Sequence, residues 1–97
     1  MHTIKKFELS FDPAKNERNI AERGLSFTQV VNFDFASALY WLDTRKSYLE
    51  RRMVALGLLD GRVHSLVFAE TSTGIRIISF RKANPREVKR YEQETQS

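Results

Sequence analysis

Cysteine is absent from the 97 residues of this chain, which removes disulfide staples, thiolate zinc sites and thiol nucleophiles together. Histidine is scarce, with only His2 and His64, and neither falls in a cluster of carboxylates with metal-ligand spacing. No Gly-rich phosphate loop and no Ser/His/Asp arrangement can be assembled, so no cofactor or metal is expected. Four glycines and two prolines are too few for a fibrous or disordered chain. No apolar run approaches the roughly 18 to 20 residues of a membrane span. The N-terminus, where Lys5 and Lys6 lead into Phe7-Glu8-Leu9, lacks the apolar core of a secretory signal, and a cytoplasmic protein with no membrane contact is expected.

What is present is the composition of one folded domain over residues 1–97: 41% hydrophobic and 29% charged. Phe7 to Phe11 alternates apolar and polar residues, the period of a strand with one buried face. Asp12-Pro13 predicts a helix start, because the Asp carboxylate accepts first-turn N–H groups and Pro has no N–H to lose. That helix should run to Arg23 and close at Gly24. A second, short helix should begin at Ser26, whose spacing to Gln29 is that of a capping box.

Strand patterns follow over 38–42, 51–59, 62–70 and 75–81, with Asp60-Gly61 as a tight hairpin turn. Asn84-Pro85 with Glu87 repeats the capping logic and predicts a final helix from Pro85. The expected architecture is α+β: a small antiparallel sheet with two N-terminal helices and a C-terminal helix.

The chain carries a net charge of +4, a surplus that favours polyanionic partners without naming one. Between residues 76 and 90 stand Arg76, Arg81, Lys82, Arg86, Lys89 and Arg90 against the single acid Glu87, a net +5. The surplus is therefore concentrated in the last strand and helix, as a phosphate-contacting surface requires. A solvated, solubilising helix face would carry the same charges. In a regular strand Arg76 and Arg81 would point to opposite faces of the sheet. Tyr40, Trp41 and Tyr48 could stack on bases, although an apolar run over 38–42 also suits a core. His64, in mid-strand, reads as a sheet residue rather than a proton shuttle.

Three blocks in order resemble the BrnT family of toxins from bacterial type II toxin–antitoxin systems. The first is Phe7 to Phe27, with Asp12-Pro13-Ala14-Lys15, Asn19 and Gly24-Leu25-Ser26-Phe27. The second is Glu50-Arg51-Arg52, then Leu56-Gly57 and Gly61-Arg62. The third is Arg76-Ile77-Ile78-Ser79-Phe80-Arg81-Lys82-Ala83 with Arg86-Glu87 and Tyr91-Glu92. The resemblance implies a fold similar to RelE-type ribonucleases and a growth-arresting ribonuclease. It also implies neutralisation by a BrnA-like antitoxin in a hetero-oligomer that reaches operator DNA only through the antitoxin.

Carried onto this chain, the family's functional positions fall on Arg52, Arg76, Arg81 and Tyr91. For metal-free RNA cleavage the expected clamp on phosphate is Arg81 with Arg52. Arg23, Arg76, Lys82 and Arg86 supply further substrate contacts, and Glu50 or Tyr91 is the candidate base. Where the family usually has Lys-His-Gly, this chain has Glu22-Arg23-Gly24, and an arginine stays protonated where an imidazole would titrate. Two other classes fit the residues: a module that binds nucleic acid without cutting it, and a toxin relative that only binds its antitoxin.

Overall fold

The computed structural model describes residues 7–47 and 49–96, so His2 and Tyr48 lie outside it. Within these residues the chain forms β1 (Glu8–Phe11), α1 (Pro13–Arg23), a 3₁₀ helix (Phe27–Asn32) and β2 (Leu39–Leu42). It continues with β3 (Met53–Leu59), β4 (Arg62–Glu70), β5 (Gly74–Lys82) and α2 (Pro85–Thr95). The helix signals act as the residues suggest. Asp12 accepts from the Ala14 N–H and Gly24 closes α1 at φ +64°. Asn84 and Glu87 form a reciprocal capping box on α2. The segment after Ser26 is 3₁₀ rather than α-helical, and Ser26 accepts from Thr28 instead of joining Gln29 in a box. No helix among the described residues is long and apolar enough to cross a membrane.

The strands form one sheet in the order β1-β5-β4-β3-β2. The last four make the expected antiparallel meander. β1 instead lies parallel to β5, with Leu9 beside Ile75 and Phe11 beside Ile77, so the sheet is mixed rather than antiparallel. Leu9 and Phe11 pack on the same core cluster as Ile75 and Ile77, which fixes that pairing. Because β1 and β2 sit at opposite edges, the intervening chain must cross the sheet. The crossing segment delivers Phe27, Val30 and Phe33 onto one face, where they bury against Ala55, Leu66, Phe80 and Ile77. Full burial of each such side chain stabilises by roughly 1.5–3 kcal/mol. Gly57 makes the crossing possible. A β-carbon there would stand 2.5 Å from the Phe33 ring and 2.9 Å from Ala38.

β1 ends opposite Ile77, leaving the rest of β5 as an exposed edge. α1 covers it through the buried Asn19, whose amide donates to the Phe80 carbonyl at 2.9 Å and to the Leu25 carbonyl at 2.8 Å. A thin apolar stripe on α1 is thus sufficient, since a side-chain amide takes the place of a neighbouring strand. α2 packs on the opposite face of the sheet, where Tyr91 buries with Leu56 and Val63, flanked by Val88, Leu58 and Leu39.

Candidate functional site

Regular alternation would separate Arg76 from Arg81, and β5 is not regular. Val67 pairs with Ser79 and Phe68 with Ile77, so Ile78 is an extra residue in β5. Such a bulge shifts the alternation by one. Ile75, Ile77 and Phe80 all enter the aromatic core, and Arg76, Ser79 and Arg81 all point to the other face. The expectation that the two arginines face opposite sides is therefore corrected by one inserted residue.

On that second face, Trp41 pairs with Val54, Val54 with Val67, and Val67 with Ser79, a continuous row across four strands. The next row holds Leu39, Leu56, Ser65 and Arg81. α2 covers the far end and leaves a cavity of about 200 Å³ beside it. Val54 and Val67 lie at its floor, with Trp41 on one side and Arg81 on the other. The loop after β2 overhangs it. There Asp43, with its side chain 1% exposed, accepts from Arg45 through both oxygens, Nε at 2.9 Å and Nη2 at 2.8 Å. A buried carboxylate needs such pairing, and the consequence is that Arg45 is fixed at the cavity mouth.

Arg81 is held from below by α2. Its guanidinium donates to both oxygens of Glu87, at 2.7 and 3.0 Å. The Glu87 hydrogen bonds hold the Arg81 guanidinium above its ordinary pKa, against burial and the positive charge of Arg45. Reciprocally, the Arg81 hydrogen bonds, aided by the Asn84 N–H, lower the Glu87 carboxyl, against its burial. One carboxylate thus caps the helix and orients the arginine.

A second arginine group stands at the near end of the same face. Arg52 precedes β3, where the Asp43 N–H donates to its carbonyl at 2.8 Å. Glu50 bridges Arg52, 3.5 Å away, and Arg76, to which it is hydrogen-bonded. Glu50, Arg52 and Arg76 therefore come together, and the bulge brings Arg81 onto their side of the sheet.

The remaining candidates are distributed differently. Arg23 donates to the Asn19 Oδ1 at 2.6 Å and, with Leu25, Arg81 and Lys82, borders a separate hollow at the α1 terminus. Arg86 is exposed on α2 and does not line the main cavity. Tyr91 is buried under α2, and its hydroxyl donates to the Ser37 carbonyl at 3.4 Å. It lines none of the cavity described above. Asp43, Arg45, Ser65, Ser79 and the Arg81-directed role of Glu87 are additions that sequence patterning did not single out. The Asp43-x-Arg45 spacing was the one available signal, and it is indistinguishable from an ordinary loop ion pair. Among the described residues, no three or more His, Asp or Glu side chains gather to hold a metal ion.

A family model described as "Ribonuclease toxin, BrnT, of type II toxin-antitoxin system" matches residues 11–87. The matched span contains both arginine groups and the cavity lining, and ends at Glu87, before Tyr91. No curated protein matches the chain.

Proposed function

Since the chain belongs to the BrnT family of type II toxin–antitoxin ribonuclease toxins, we propose that it cuts RNA, without a metal, in the groove between its two arginine groups. The observation that carries this reading is the Ile78 bulge, which sets Arg81 on the face already occupied by Arg52 and Arg76. Cleavage of this kind starts with attack of the ribose 2′-oxygen on the adjacent phosphorus. The bond to the 5′-oxygen breaks, leaving a 2′,3′-cyclic phosphate and a 5′-hydroxyl. Charge grows on the phosphoryl oxygens at the transition state, and preorganised guanidinium donors stabilise it.

Arg81 and Arg52 are the clamp, with Arg76 supporting. RNA phosphate competes with Glu50 for the Arg76 and Arg52 guanidiniums, and the released carboxylate is placed to take the 2′-hydroxyl proton. Lys82, bordering the hollow beside Arg81, supplies a proton to the leaving 5′-oxygen. Arg23 and Arg86 extend the positive surface along the strand's path. Tyr91 contributes by seating α2, and thereby Glu87, under Arg81.

The same reading includes neutralisation by a BrnA-like antitoxin, contact with operator DNA only through that complex, and a RelE-like architecture. The test is cleavage of a single-stranded RNA by purified protein with chelator present. Arg81→Ala should lower the rate roughly 10²- to 10³-fold, the usual cost of removing one transition-state donor. RNA that is bound in a salt-dependent way but left uncut by the unaltered chain would favour a binding module instead.

A further inference from the structure

Cations alone suffice to hold phosphate, yet the cavity beside Arg81 is built from more than cations. Its floor is the buried pair Val54 and Val67, one wall is Trp41, and the Ser65 and Ser79 hydroxyls stand among its lining residues. At about 200 Å³ it is smaller than the roughly 300–1,000 Å³ of drug-sized pockets, and suits one planar ring system. Apolar floor, aromatic wall and a few hydroxyls are the surroundings of a heterocycle rather than of an anion. The anion-binding groups, Arg81 and Arg45, are at its margin.

Trp41 is disposed for this use. Arg90 stacks over its ring, 4.2 Å from the centroid, and Arg90 does not line the cavity. The part of the indole that faces the cavity is therefore not the part that Arg90 covers. Tyr40, its neighbour, points to the other side of β2 and donates to the Phe35 carbonyl at 2.6 Å. Of the two aromatic residues, only Trp41 reaches the arginine face.

We propose that this cavity is a nucleobase subsite, receiving one unstacked base of single-stranded RNA against Trp41 while Arg81 and Arg45 hold the flanking phosphates. The ligand class rests on the ribonuclease reading above. A base inside a duplex cannot enter, because its faces are already stacked. The chain would therefore act on single-stranded segments, and the base seated against Trp41 would set the position of the cut relative to Arg81.

Trp41 is the only tryptophan in the chain, so its emission reports the subsite directly. The probes are end-labelled 2′-O-methyl tetranucleotides, which lack the attacking hydroxyl, and an abasic tetramer of equal phosphate count. Label anisotropy measures binding, and Trp41 emission measures where the base goes. Base-bearing tetramers should quench Trp41 saturably and the abasic one should not. Trp41→Ala, with its fold checked by circular dichroism, should weaken base-bearing tetramers roughly tenfold, as loss of one stacked base does, and leave the abasic one unchanged. Equal quenching by both probes, or tight binding of base-bearing tetramers with no quenching, overturns the subsite while leaving the ribonuclease reading intact. Absence of binding by any tetramer, together with uncut RNA, overturns both.

Discussion

Phe80 and Arg81 are adjacent in the chain and stand on opposite faces of one strand, and the faces differ in how they are closed. Under the crossing segment the sheet is sealed: Phe33 meets Phe80 and Phe27 meets Phe11 edge to face within one buried apolar cluster. Under α2 only the far rows are sealed, by Tyr91, Leu56 and Val63. The rest of that face keeps Ser79 and Arg81 beside an open cavity, with Arg76 on the same side of the sheet next to Glu50. Such a division places stability on one side and the proposed chemistry on the other. Rigid strands then hold the arginines from beneath, which is what an electrostatically preorganised site requires.

Breaking the sealed face should have the largest effect. Phe80 is fully buried, and Phe80→Ala should cost about 3–5 kcal/mol of stability, measured as a shift in the urea midpoint. Whatever folded protein remains should keep its affinity for RNA. Next to it, Arg81→Ala should do the reverse, lowering the cleavage rate roughly 10²- to 10³-fold while costing about 1 kcal/mol or less of stability by urea unfolding, as for a half-exposed ion pair. A variant in which both quantities fall together would show that the two faces are not separable.

A smaller disturbance sharpens the same contrast. Gly57→Ala places a β-carbon 2.5 Å from the Phe33 ring, so the aromatic cluster must shift. Overpacking of this kind costs about 1–3 kcal/mol. Thermal unfolding should register it, and the rate of RNA cleavage by the folded fraction should not change, because Gly57 lies on the sealed face.

Much of this was legible in the residues, and the failures are instructive. Asp12, Gly24, Asn84 and Glu87 act on backbone groups within four positions of themselves, so the helix ends could be read locally. The Asp60-Gly61 turn likewise announced that the two strands flanking it pair as a hairpin. The parallel seat of β1 depends on a partner more than sixty residues away, where no local period can speak. The Ile78 bulge defeats the period-two rule itself, and with it the separation of Arg76 from Arg81. The candidate arginines could thus be named from their density and from the family resemblance, but not placed on a common face. Tyr91 shows another limit: the resemblance marks it as a functional position, and nothing local in the sequence reveals that it is buried with Leu56 and Val63.

The most delicate test concerns the tie between strand and helix on the open face, the Arg81–Glu87 pair. Arg81's hydrogen bonds hold the Glu87 carboxyl below its ordinary value of 4.5. A carboxylate whose pKa is depressed by folding contributes stability that is fully present above its unfolded value. That contribution fades as pH falls through the folded value. The unaltered chain should therefore exceed Glu87→Gln in stability near neutral pH by about 0.2–1 kcal/mol, the range of a half-exposed pair. The difference should shrink once the pH drops below 4.5 and vanish below the folded value. Glutamine retains an oxygen for the Asn84 N–H, so the helix cap survives, and the pH-dependent part reports the carboxylate's bonds to Arg81 first and to the Asn84 N–H second. Urea midpoints of both chains across the acid range measure it. A gap that stays constant with pH would mean that folding does not favour the charged form of Glu87, and Arg81 would then owe its position to the sheet.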